Sequence, residues 1–190
     1  PYGAFTDLEV NGKHLIDSPI RLSVFRAPTD NERVIKRRWV RNMMHYGENF
    51  EYVFDKVYSC EIADGAIVVK GSLAGVARVP FLHYTQVVRV GADGRISFTV
   101  DATRRPGSIW IQRFGYEFTV NEEDAGFCYF GKGPGETYVD MQHYQGYGLW
   151  ESKASKEYVP YIMPQEHGNH YGTRYLELDN GLTFVADQSF

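Results

Sequence analysis

Tyr52-Val53-Phe54-Asp55-Lys56-Val57-Tyr58-Ser59-Cys60-Glu61-Ile62, then Ala63-Asp64-Gly65, then Ala66-Ile67-Val68-Val69-Lys70-Gly71-Ser72-Leu73, is the stretch whose reading decides the fold. It reads as two strands joined by a turn. The same texture continues downstream. Ala77 to Val90 is an extended, alternating run of about 46 Å at roughly 3.3 Å per residue, with Pro80 favouring an edge or a bulge. Gly91-Ala92-Asp93-Gly94 turns it into Ile96 to Ala102. Ile109 to Val120, Phe127 to Phe130 and Arg174 to Leu178 read as further strands, and Asp179-Asn180-Gly181 as the turn into Leu182 to Ala186.

Upstream, Ala4 to Val10 and Lys13 to Asp17 flank Asn11-Gly12, a strong hairpin signal because both residues tolerate positive φ. Arg21 to Arg26 alternates polar and apolar as a third strand. Thr29-Asp30-Asn31-Glu32 then has the form of a capping box. Ile35, Trp39 and Met43 fall four apart behind it, predicting one short amphipathic helix from about Asp30 to Met44. Lys36, Arg37, Arg38 and Arg41 make its basic run, read as a solvated helix face. About nine or ten antiparallel strands with this one helix predict an all-β chain, a large β-sandwich formed as a single domain over residues 1–190.

Composition agrees and excludes other classes. Of 190 residues, 43% are hydrophobic and 23% charged, enough apolar material for a packed core. Fourteen Tyr, twelve Phe and three Trp suit sheets and surfaces that stack on sugars or bases. Twenty Lys and Arg against twenty-four Asp and Glu give a net charge of −4, the wrong sign for a nucleic-acid partner. No apolar run reaches the roughly 18 residues of a membrane span. Cys60 and Cys128 form no CxxC unit; a disulfide between them stays open, and two buried thiols are the plainer reading. The chain starts at Pro1 without Met and closes just after a strand-like run, so a fragment of a longer chain is expected, with the cytoplasm as default location.

A different texture fills residues 131 to 173, where long irregular segments are expected to be functional or interfacial. Gly131-Lys132-Gly133-Pro134-Gly135-Glu136-Thr137-Tyr138 fits neither phosphate-loop spacing, since Lys132 comes early, nor a dinucleotide fingerprint, since Glu136 replaces the third Gly. It reads as a structured turn. His167 and His170, with Glu166, match no established zinc spacing, so no metal is assigned to the chain. Glu32, Glu136, Asp140 and Glu166 are loop-like carboxylates of the kind sugar hydrolysis needs in pairs, but they equally suit holding backbone amides. No nucleophilic triad is recognisable. Tyr138, Tyr144, Tyr147, Trp150, Tyr158 and Tyr161 bring broad, partly polar faces, so Gly131 to His170 is expected to form an interface or pocket rim. Lys132 and Lys153 are too few to hold a polyanion.

Three blocks carry a resemblance. Phe25-Arg26-Ala27-Pro28-Thr29-Asp30-Asn31-Glu32 resembles the RAPTDND signature of the C-terminal β domain of bacterial β-galactosidases of glycoside hydrolase family 2. Gly131 to Asp140 resembles that domain's G-x-GP-x-ENY-x-D block, and Tyr158-Val159-Pro160-Tyr161 with Pro164-Gln165-Glu166-His167-Gly168-Asn169 its YVPY-x-x-PQE-x-GN block. Glu32, Thr137 and Val139 depart from the pattern, which has Asp, Asn and Pro there. The resemblance implies the first part of a galactose-mutarotase-like supersandwich, the "small chain". It implies Arg26, Pro28, Asp30, Asn31, Gly133, Pro134, Glu136, Tyr138, Asp140, Tyr161, Pro164, Glu166, Gly168 and Asn169 as structural or pocket-rim residues.

It also implies that both catalytic glutamates lie in a preceding TIM barrel, as a domain or large subunit, and none in this chain. The parent would hydrolyse terminal β-D-galactosides with retention and act as a homo-oligomer. No cofactor is implied for this chain, a divalent or sodium ion being a matter for the parent's catalytic domain. Two other classes remain beside this: a freestanding mutarotase-like aldose epimerase, using His83 or His143 with Glu136 or Glu166, and a carbohydrate-binding module.

Overall fold

The structure, a computed structural model, describes residues 5–33, 49–107 and 110–187. In chain order the first strands are β1 (Glu9–Val10), β2 (Lys13–His14), β3 (Arg21–Ser23), β4 (Phe54–Ala63), β5 (Ala66–Ala74) and β6 (Pro80–Val90). They are followed by β7 (Ile96–Arg104), β8 (Gly115–Glu117), β9 (Gly126–Gly133), β10 (Gly146–Lys153), β11 (Tyr175–Leu178) and β12 (Thr183–Val185). Every pairing among the described residues is antiparallel, and no sheet closes into a barrel. This is the all-β class that the sequence predicts, consistent with a β-sandwich. No helix among the described residues is long and apolar enough to cross a membrane. The chain gathers into two compact units, Pro1–Phe5 with Ile20–Glu117 and Thr6–Pro19 with Phe118–Phe190.

The first unit holds the sheet β4-β5-β6-β7 and the pair β3-β8. Asp64 and Gly65 both take positive φ, 50° and 69°, which closes β4 onto β5 without strain on the glycine. Val24, Phe50, Val69, Leu73, Phe81, Leu82 and Tyr84 form its buried core, with the Phe50 and Phe81 rings 4.8 Å apart. Each such buried side chain contributes about 1.5–3 kcal/mol relative to exposure. Gly71 sits opposite Tyr84 for a steric reason: a Cβ there would come within 2.5 Å of the phenol. The missing side chain lets Tyr84 lie across β5 and donate to Asp55 Oδ1 at 2.7 Å. Burial raises the Asp55 carboxyl above its usual range and raises the Tyr84 phenol as well.

The second unit holds the sheet β10-β9-β11-β12 and the hairpin β1-β2. Asn11 and Gly12, with φ of 53° and 79°, make that hairpin as the sequence predicts. Tyr129 is its most buried ring, flanked by Phe127. Asn180 is buried at the β11–β12 turn, where its amide donates to Leu15 O at 3.3 Å and its Oδ1 accepts from Leu182 N–H at 3.0 Å.

The structure departs from the sequence expectations at several places, each with a physical reason. Strands β1, β2 and β3 are two or three residues long, and the third sequence-predicted run ends at Ser23 rather than Arg26. The run from Ala77 becomes strand only at Pro80, where the register against β5 shifts, a bulge position that proline tolerates. Of the strand expected over Ile109 to Val120, only Gly115–Glu117 forms among the described residues. The segment expected to be irregular contains β10 and the end of β9, paired without interruption from Gly146↔Gly133 to Lys153↔Gly126. Its glycines are a cradle rather than a loop signal. A Cβ on Gly133 would meet Tyr129 Oη at 2.2 Å and Trp150 Cδ1 at 2.7 Å, and one on Gly148 would meet Trp150 Cζ2 at 2.7 Å. Cys60 is exposed on the edge strand β4 and Cys128 half-buried on β9, and both are free thiols, so the buried-pair expectation fails for Cys60. The expected helix begins as a 3-10 turn, Asp30–Glu32. Its remainder, with the basic run from Lys36 to Arg41, lies outside the described residues.

Candidate functional site

Two of the sequence blocks are joined in the second unit, and Glu136 is the joint. This carboxylate is 9% exposed. Its Oε1 accepts from the Tyr161 hydroxyl, and its Oε2 accepts from Gly168 N–H at 2.8 Å. Its backbone carbonyl accepts from the Tyr144 hydroxyl. The bond to Glu136, with help from burial, pushes the Tyr161 phenol up to about 12. Thr137 beside it is wholly buried and fully engaged. Its N–H donates to Asn169 O at 2.6 Å, its O accepts from Asn169 Nδ2 at 2.7 Å, and its Oγ1 accepts from Tyr171 N–H at 2.8 Å. Backbone groups that a turn-rich segment would leave orphaned are thus satisfied across 32 to 34 residues of sequence.

The other block residues surround this joint. Tyr138 is buried, and its backbone pairs with Met141 at 2.9 and 3.0 Å, leaving Asp140 exposed at the tip of that turn. Pro134 O accepts from the Tyr129 hydroxyl at 3.3 Å, and Gly131 O accepts from the Trp150 indole at 3.2 Å. Gly168 has φ of 76°, and a Cβ there would sit 3.0 Å from Glu157 O. Pro164 is exposed and Glu166 half-buried. Of the expected rim aromatics, Tyr144, Tyr147 and Tyr158 are exposed, Trp150 and Tyr161 half-buried and Tyr138 buried.

His167 and His170 both turn to Glu157, a residue that sequence reasoning missed. His167 Nδ1 lies 3.2 Å from Glu157 O, and His170 Nε2 lies 2.7 Å from Glu157 Oε2. Ser152 donates to the other carboxylate oxygen, and the His170 ring packs on Tyr129 at 4.3 Å between centroids. Glu157 and His170 are thirteen residues apart, a spacing with no motif behind it. His83 and His143 are both exposed; His83 lies in the first unit, on β6, against the Tyr58 ring. Among the described residues, the group that gathers three ligand-type atoms is Asp7, Glu9 and His14 on the β1–β2 hairpin, all exposed. Its His14 Nδ1 is already bonded to Asp7 Oδ1 at 2.9 Å.

The remaining block lies in the first unit. The Arg26 guanidinium grips both Glu32 oxygens at 2.7 Å, and the same carboxylate reaches back to Thr29 N–H at 2.8 Å, completing the expected capping pair. Burial raises the Glu32 carboxyl, yet the Arg26 bonds and the Thr29 amide outweigh it and hold the group below its usual range. Asp30 pairs with Arg33, Pro28 is half-buried and Asn31 exposed. A bidentate contact of this kind adds geometric specificity as well as energy.

Residues 1–189 match the family model described as Beta galactosidase small chain. The β-galactosidase of Actinobacillus pleuropneumoniae is 30% identical over 192 aligned residues, covering 99% of this chain and 18% of that protein. That of Streptococcus thermophilus is 31% identical, covering 93% of this chain and 17% of that protein, and that of Kluyveromyces lactis is 29% identical, covering 93% and 18%. The chain therefore spans under a fifth of the length of these curated relatives.

Proposed function

The chain belongs to the β-galactosidase small-chain family, and from that premise we propose that it is the noncatalytic support of a larger β-galactosidase. In this reading the parent hydrolyses terminal β-D-galactosides with retention. A preceding TIM barrel, as domain or large subunit, supplies the acid/base and the nucleophile. The single observation that carries the reading is Glu136. Retention uses two carboxyl groups about 5–5.5 Å apart that face the substrate. The most deeply set carboxylate of the family blocks instead spends one oxygen on Tyr161 and the other on Gly168. Its work is to fasten two loops together.

The exposed Tyr144, Tyr147 and Tyr158 supply faces for a neighbouring domain or a sugar ring, which supports a role at the pocket rim. The reading assigns no cofactor to this chain and leaves any divalent or sodium ion with the catalytic region. A cytoplasmic, homo-oligomeric parent belongs to the same reading. The test compares hydrolysis of a chromogenic β-galactoside by this chain, by the full-length parent and by the parent lacking this region. Turnover is expected from the full-length parent only, with the β-anomer of galactose appearing first by proton NMR. Turnover by the isolated chain that disappears in Glu136→Gln would overturn it.

A further inference from the structure

The face of the β10-β9-β11-β12 sheet opposite Tyr129 carries an unbroken apolar row. Leu149, Phe130, Tyr175 and Val185 stand directly opposite one another across the four strands, by the registers Leu149↔Phe130, Tyr175↔Phe130 and Tyr175↔Val185. At roughly 4.8 Å per strand spacing the row is about 14 Å wide. Leu149 is 65% exposed, Phe130 40% and Val185 73%, and exposed Tyr147 extends the row by packing its ring 6.0 Å from that of Phe130. Single exposed apolar residues are ordinary, but a contiguous row on one sheet face marks a contact surface. The next row along the strands is Glu151, Cys128, Glu177 and Thr183, again in register, so the apolar row is bordered by two carboxylates.

We infer that this face is a docking surface for the part of the β-galactosidase polypeptide outside these 190 residues. The occupant would present an apolar ridge flanked by an arginine or lysine against Glu151 and Glu177. The inference rests on the supporting role proposed above and names the surface that performs it. Two observations select this occupant. Relatives are more than five times longer than the chain, so most of the polypeptide available to cover the face lies beyond it. The border is also acidic, and a second copy docked through the same face would bring Glu151 and Glu177 toward their own counterparts, on a chain whose net charge is already −4.

Cys128 lies within the face and serves as the probe. Burial together with the charges of Glu151 and Glu177 raises its thiol, so alkylation is best compared at one alkaline pH. Iodoacetamide labelling of Cys128, read by peptide mass spectrometry, is expected to be at least 10-fold slower in the full-length enzyme than in this chain alone. Leu149→Lys and Val185→Glu, both at exposed positions, should restore the faster rate in the full-length enzyme. Equal rates in the two proteins would overturn the assignment, as would protection that neither variant relieves. Protection in the isolated chain that grows with its concentration would assign the face to a second copy and overturn it equally. If the parent loses activity without this region while Cys128 stays open, the supporting role stands and only this surface falls.

Discussion

Replacing Thr137 by valine tests whether the two loop blocks are held by hydrogen bonding or by packing alone. Valine keeps the shape of threonine and removes its hydroxyl. In the wholly buried site, Tyr171 N–H would lose the acceptor it now has at 2.8 Å. Losing the bond and stranding the amide should cost about 1–3 kcal/mol. With a urea dependence of about 1–3 kcal/mol per molar, a loss near 2 kcal/mol lowers the midpoint by about 1 M. Thr137→Ser is the counterpart: it keeps the acceptor and gives up one methyl, for about 1 kcal/mol. Fluorescence-detected urea unfolding in a background where Trp150 is the sole indole reports on the unit that contains the site. A valine variant as stable as the serine variant, or more so, would refute the hydrogen-bond account.

The Arg26–Glu32 contact should show itself in pH dependence. A carboxylate held below its unfolded value adds stability above that value, and the gain is lost as pH falls through the folded one. The stability gap between the native chain and Arg26→Met should therefore be full at neutral pH and shrink as pH drops below the ordinary value of 4.5; a gap flat from pH 7 to pH 3 would contradict the assignment. Gly168→Ala should cost about 1–2 kcal/mol, since alanine resists positive φ and its Cβ presses on Glu157 O. Gly146→Ala, with open space at its Cβ, should stay within about 0.5 kcal/mol. Equal thermal shifts for the two glycine variants would show that backbone strain at Gly168 is not limiting.

What could be read in the sequence was local. Asn11-Gly12 and Asp64-Gly65 announce their turns because positive φ is a property of those residues themselves. The Thr29–Glu32 cap is legible for the same reason, three residues apart. The guanidinium fork from Arg26 onto that same Glu32 is not, because it depends on how the strand exits. Gly131, Gly133 and Gly148 are ambiguous in sequence, since an absent side chain looks alike whether it frees a loop, admits Thr173 beside Gly131, or admits the rings of Tyr129 and Trp150 beside Gly133 and Gly148. Cys60 was misjudged because an apolar residue on an edge strand does not inherit the burial of its neighbours. Glu157 is not legible in the sequence: His167 and His170 lie ten and thirteen residues beyond it, and neither spacing belongs to a motif.

The bonds of Glu136, Thr137 and Asn169 have a kinetic consequence. Residues 136–137 and 168–171 form one zipper of four bonds, three donated from the second stretch by Gly168 N–H, Asn169 Nδ2 and Tyr171 N–H, and one from the first by Thr137 N–H. No tooth can release while its neighbours hold the same two backbones together. The Thr137, Gly168 and Tyr171 amides should therefore exchange with solvent in a single cooperative opening, at one common free energy. A protease or a denaturant would then meet these two distant stretches of sequence as a single event, either both closed or both undone.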